Sequence, residues 1–133
     1  MLARLLRVPA LRCLWTKFPI GSAALRARHD IDPRPHYRFG VWEGAELARA
    51  LGIPRITVCE FGVAGGRGLL ALERIAEETE GATGVGVDVV GFDSGQGLPP
   101  PRDYRDVPHF WATGNYKMDE QALRRQLRRA HLV

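Results

Sequence analysis

Ile-Thr-Val-Cys-Glu-Phe-Gly-Val-Ala-Gly-Gly-Arg-Gly, residues 56–68 (ITVCEFGVAGGRG), decides how this chain folds. Its first half, Ile56 to Phe61, is short, β-branched and apolar, and it ends at a glycine. Such a run reads as a strand buried on both faces of a parallel sheet. Its second half clusters Gly62, Gly65, Gly66 and Gly68. Glycines there let a ligand approach the backbone and let some positions take φ > 0; a tight turn needed only for packing would use the same residues.

Working outward, Leu69, Leu70, Leu72, Ile75 and Ala76 recur at helical spacing, so a helix is expected over Arg67 to Glu80, ended by Gly81 and Gly84. Val85 to Phe92 (VGVDVVGF) then predicts a second buried strand. Strand, glycine turn, helix and strand make one right-handed βαβ unit, and the fold class is α/β. Upstream, Phe39 to Leu51 places Val41, Trp42, Ala45, Leu47, Ala48 and Leu51 among charged residues and predicts an amphipathic helix stopped by Gly52 and Pro54. Downstream, the prolines at 99, 100, 101 and 108 mark a loop from Asp93 to Pro108. A helix over Asp119 to Ala130, with Asp119 as N-cap, leads into His131-Leu132-Val133, the first step of a third strand.

In doubly wound folds, ligands sit at the carboxyl ends of the strands, where the first strand turns into its helix. Three nucleotide-site readings compete there. A P-loop needs Gly-Lys-Ser/Thr, but Gly66 is followed by Arg67 and Gly68. A dinucleotide fingerprint starting at Gly62 needs glycine at the position held by Ala64. The third reading starts from Glu60, an acid just before the end of an apolar strand. A buried carboxylate is costly unless it is paired or hydrogen-bonded. A pyrophosphate gains nothing from it, whereas a ligand carrying sulfonium and ammonium groups does.

The pattern Glu-x-Gly-x-x-x-Gly at Glu60, Gly62 and Gly66 resembles motif I of the class I S-adenosylmethionine-dependent methyltransferases. The segment GFDSGQGLPPP, residues 91–101, is similar to the Gly-Phe-Asp-Ser/Thr-x-x-Gly-Leu-Pro segment of the macrocin O-methyltransferase-like branch. The resemblance covers about residues 36–133. It implies a Rossmann-like doubly wound parallel sheet, here truncated after the second or early third strand, since the family's sheet is longer. It implies a transferase that moves a methyl group from S-adenosylmethionine to a small-molecule acceptor, most simply a hydroxyl. The cofactor-binding set it implies is Glu60, Gly62, Val63, Ala64, Gly65, Gly66, Asp93 and Ser94, with Asp93 on the ribose hydroxyls. Asp88 is the rival for that role. Val89, Val90 and Phe92 continue the strand past it, which at ~3.3 Å per residue leaves Asp88 roughly 16 Å short of the carboxyl edge.

The resemblance also implies a divalent metal such as Mg2+ at the acceptor, held by acids on later strands absent from this chain. No catalytic residue is therefore named, no metal ligand is expected within the chain, and the chain alone is expected to be inactive. Its first strand would keep an unpaired edge open to self-association. A dinucleotide-binding, NAD(P)-type oxidoreductase fragment and a non-catalytic remnant remain as alternatives. His36, Tyr37 and Trp42, and after the proline loop His109, Trp111 and Tyr116, could line a pocket; core or loop packing accounts for them as well.

The remaining chain bounds the partners. All but Lys17 and Lys117 of the 19 basic residues are arginine, and the formal charge is +4. A nucleic-acid surface would be one reading of that balance, but codon composition is the preferred one, and no nucleic acid is expected. Cys13 and Cys59 lack ligand spacing, Cys59 reads as a small core residue, and a reducing cytoplasm suits both. Residues 1–29 contain no acid, with Arg4, Arg7, Arg12, Lys17, Arg26 and Arg28 among Leu, Ala and Trp. A transit peptide or membrane-surface helix would look like this. The preferred reading is a basic extension over 1–35, dispensable up to residue 29, with Asp30 to Pro35 as linker and no membrane partner.

Overall fold

The computed structural model describes residues 8–18 and 20–133. In chain order these residues form α1 (Pro9–Lys17), α2 (Ala23–Arg28), α3 (Pro35–Ala50), β1 (Arg55–Phe61), α4 (Arg67–Thr83), β2 (Gly86–Phe92), a 3-10 turn at Tyr104–Asp106, α5 (Glu120–Gln126) and β3 (His131–Leu132). The strands make a three-stranded parallel sheet in the order β1-β2-β3, with Val90 opposite His131 and Gly91 opposite Leu132. The chain is α/β, as its periodicity implies. It divides into two compact units, Met1–Ile56 with Arg74–Val87 and Thr57–Glu73 with Asp88–Val133.

In the first unit, α3 starts at Pro35, four residues before the expected Phe39. Proline suits the first helical position because its missing N–H has no intrahelical partner there and its φ is already helical. The buried face of α3 is Arg38, Val41, Ala45 and Ala48, whereas Leu47 and Leu51, expected on it, are exposed. Ala45 and Ala48 pack with Val85, and Ile56 closes against them. Helix α4 runs through Gly81 to Thr83. A helical glycine costs about 1 kcal/mol, and the turn is held by Thr83 Oγ1 donating to the Thr79 carbonyl at 2.8 Å. Gly84, at φ +73, ends the helix.

The segment Asp30 to Pro35, expected as a linker, buries two of its residues. Ile31 is 1% exposed, and Asp32, 6% exposed, is the centre of a buried ion-pair cluster. Its carboxylate accepts from Arg38 Nε at 2.9 Å, Arg74 Nη2 at 2.9 Å and the Arg34 N–H at 2.9 Å. Glu78 accepts from Arg38 Nη2 at 2.7 Å and from Arg26 Nη2 at 2.6 Å. Arg26 and Ala27, both within the stretch read as an extension, are therefore buried. Arg4 and Arg7 of that stretch lie outside the described residues.

Strand β2 alternates, burying Val87, Val89 and Gly91, while β1 buries only Glu60. The expectation of a first strand buried on both faces does not hold. Thr57, Cys59 and Phe61 all face solvent, so Cys59 is not a core residue. Apolar strand sequence is buried on both faces only where helices cover both, and β1 is an edge strand. Helix α5 is shorter than expected. Asp119 caps it through the Ala122 N–H at 2.9 Å, but it stops at Gln126. Glu73 Oε1 accepts the N–H groups of Arg128, Arg129 and Ala130 at 2.9, 2.7 and 2.7 Å, and this turns the chain out of the helix and into β3.

Candidate functional site

The carboxyl ends of β1 and β2 meet at a glycine turn held by one carboxylate. Gly62 donates its N–H to the Phe92 carbonyl at 2.9 Å, and the rings of Phe61 and Phe92 stack at 5.2 Å. The turn then rises through left-handed positions at Gly62 (φ +85), Ala64 (φ +48) and Gly66 (φ +79). Ala64 occupies a region that alanine rarely adopts. It is held there by Asp93, whose Oδ2 accepts from the N–H groups of Val63 at 2.7 Å and Ala64 at 2.9 Å. Oδ1 of Asp93 accepts from the Gly95 N–H at 2.7 Å. The Ala64 bond, with those of Gly95 and Val63, outweighs partial desolvation and lowers the Asp93 pKa below the ordinary carboxylate range.

The other acid, Glu60, is 9% exposed and lies beneath the start of α4. A Cβ at Gly68 would overlap its carboxylate, and a Cβ at Gly66 would overlap Leu123. Two of the four glycines thus serve close packing. Val63 likewise packs inward, against the bare backbone of Gly91.

Beside the turn opens a cleft of about 400 Å3 lined by Gly62, Ala64, Phe92, Asp93, Ser94, Gly97, Leu98 and Tyr116. Its volume falls within the range of small-molecule sites. Of the residues singled out in the sequence, Gly62, Ala64, Asp93 and Ser94 line it. Glu60, Val63, Gly65 and Gly66 do not. Phe92, Gly97 and Leu98 were not singled out. Gly97 is required because at φ +76 a Cβ would strike the Asn115 carbonyl oxygen. Leu98 and Asn115 pair through the Leu98 N–H at 2.8 Å, and Gly114 donates back to Leu98 at 2.8 Å, which brings Tyr116 to the cleft. A paired Gly-x-Gly beyond a strand end was the available signal for this hairpin-like return.

A second cleft, about 590 Å3, shares Leu98 and Tyr116 and continues along Pro99, Pro100, Pro101 and Trp111. His109 lines neither. Among the described residues no group of three His, Cys, Asp or Glu side chains could hold a metal ion, and no helix is long and apolar enough to cross a membrane. Comparison with protein-family models, curated proteins and solved structures returns no match to this chain.

Proposed function

We propose that this chain binds S-adenosylmethionine at the Asp93 cleft, as the cofactor-binding part of a small-molecule methyltransferase, most simply an O-methyltransferase. The observation that carries the reading is the use of the Val63 and Ala64 amides. In a dinucleotide site, amides at the first glycine turn and the following helix N-terminus face a pyrophosphate. Here they are bonded to Asp93, whose charge lies at the cleft wall. A carboxylate there repels phosphate and favours a cationic ligand with hydroxyl donors. Asp93 accepts three N–H bonds, and a carboxylate has about four acceptor positions, so one remains for a ribose hydroxyl. The motif resemblance at Glu60, Gly62, Gly66 and residues 91–101 points the same way.

S-adenosylmethionine would supply the electrophilic methyl group, transferred by in-line displacement to the acceptor oxygen. This chain's residues would bind and orient: Asp93 through the ribose, Gly62 and Ala64 through close backbone approach, and Tyr116 and Phe92 as aromatic walls. The described residues offer no ligand set for Mg2+, and no step is assigned to one. A cytoplasmic location belongs to the same proposal, resting on two cysteines without ligand spacing.

Calorimetric titration tests the reading. S-adenosylmethionine should bind, and NAD+ and NADP+ should not. Asp93→Asn keeps an oxygen for the Val63 and Ala64 amides but removes the charge, and should weaken binding by about 1.5–3 kcal/mol. Unchanged affinity in Asp93→Asn, or preference for a dinucleotide, would sink it.

A further inference from the structure

Helix α1 is amphipathic and buries none of its residues. Leu11, Leu14, Trp15 and Phe18 fall at i, i+3, i+4 and i+7, a stripe about 100° wide. With Ile20 and Leu25 they line an open apolar groove of about 560 Å3. Leu14 and Phe18 are each 56% exposed, and Ile20 is 74% exposed. A nine-residue helix is marginal in water without a surface to pack on, so this stripe calls for an occupant.

Charge selects the occupant. Arg12 and Lys17 flank the stripe on the polar side of α1, and Arg28 is exposed on α2. Residues 1–29 contain no acid to oppose them, and Arg4 and Arg7 add to the same sign in the sequence. Trp15 donates its indole N–H to the Ile20 carbonyl at 2.7 Å, which fixes its ring beside the groove. An apolar stripe edged by cations and carrying tryptophan matches a bilayer interface with anionic headgroups. A protein groove would have to supply acids and apolar anchors at matched positions; a lipid surface supplies both everywhere.

We propose that α1 and the turn to α2 dock this protein onto an anionic lipid surface, with Leu11, Leu14, Phe18 and Ile20 inserted and Arg12 and Lys17 at the headgroups. The inference is independent of the cofactor reading. It departs from the sequence-based preference for a basic extension with no membrane partner.

The test is cosedimentation of the full chain with sucrose-loaded phosphatidylcholine vesicles, with and without phosphatidylserine. The protein should pellet with the phosphatidylserine vesicles, stay in solution with phosphatidylcholine alone, and be released by salt. Leu14→Glu/Phe18→Glu should lower partitioning at least about tenfold, since several apolar CH2 groups leave the interface. These side chains are exposed, so circular dichroism should be unchanged. Lys17→Glu, on the polar side, should weaken binding several-fold with every apolar residue of the stripe kept. Failure to pellet with phosphatidylserine vesicles, equal binding to both vesicle types, or full binding by the double variant would each overturn the proposal. So would a stable dimer that the double variant dissociates in the absence of lipid binding, because the groove would then belong to a second copy.

Discussion

Asp32→Ala removes the centre of the ion-pair cluster in the first unit. Arg38, 1% exposed, keeps its charge and loses the acceptor of its Nε. It retains only Glu78 at Nη2, while its Nη1 already lies buried without a hydrogen-bond partner. The Arg34 N–H at the start of α3 loses its acceptor as well. Arg74 is 42% exposed at its side chain, so water replaces much of what it loses, and that pair is discounted. The Arg38–Asp32 pair, at 1% and 2%, is not screened in this way. Breaking a buried pair from one side costs about 3–5 kcal/mol, a large part of the roughly 5–15 kcal/mol that holds a domain together.

At roughly 4 °C per kcal/mol, Tm should fall by about 12–20 °C. Thermal unfolding followed by circular dichroism near neutral pH measures the shift in Tm, and urea unfolding measures the free energy. Asp32→Asn, which keeps an acceptor, should lose less than Asp32→Ala. Burial acts to raise the Asp32 pKa, but the Arg34 N–H and the Arg74 and Arg38 guanidiniums outweigh it, and the folded pKa is depressed. A depressed carboxylate contributes stability above its unfolded pKa of about 3.9. That contribution is lost as pH falls through the lower folded value. The parent chain should therefore lose stability in acid more steeply than Asp32→Ala does. A loss below about 1 kcal/mol in Asp32→Ala, with the acid profile unchanged, would refute the cluster's role.

Other outcomes follow from the second unit. Glu73→Ala leaves the part-buried N–H groups of residues 128–130 without their acceptor; it should cost about 1–3 kcal/mol and speed amide exchange in β3, whereas unchanged protection there would contradict it. Gly68→Ala must displace the Glu60 carboxylate, and should destabilise by about 1–3 kcal/mol, the range for overpacking, in denaturant unfolding. Gly97→Ala, at φ +76 and against the Asn115 carbonyl, should open the loop and speed amide exchange at Leu98 and Gly114, whose N–H groups pair across it. Gly65→Ala meets nothing within 4 Å, and should leave both folding and cofactor titration nearly unchanged.

The sequence by itself determined the βαβ order, the place of the glycine turn and the candidate acid at the end of β2. These follow from local signals: apolar runs of strand length, helical spacing in Leu69 to Ala76, and glycines where the backbone must turn. It also placed α5's N-cap at Asp119, because an N-cap bond closes within three residues. Helix ends were less legible. Gly81 looked like a stop from its own propensity, yet Thr79 and Thr83 carry α4 past it, and α5 ends early for a carboxylate far upstream in sequence.

Only the tertiary structure decided how the acids are used. Glu60 and Asp93 look alike as strand-end carboxylates. The fold seats one beneath Gly68 and sets the other against two amides beside the cleft, a distinction that depends on which backbone reaches them. Asp32 sat in a proline-flanked segment that read as a linker. Its partners Arg38 and Arg74, which it shares with Glu78, come from α3 and α4, and no local pattern records such pairing. The face of β1 that carries Cys59 and Phe61 was apolar enough to be buried, and it is exposed because nothing among the described residues covers it. Residue type states what a side chain would prefer; burial depends on what the rest of the chain brings against it.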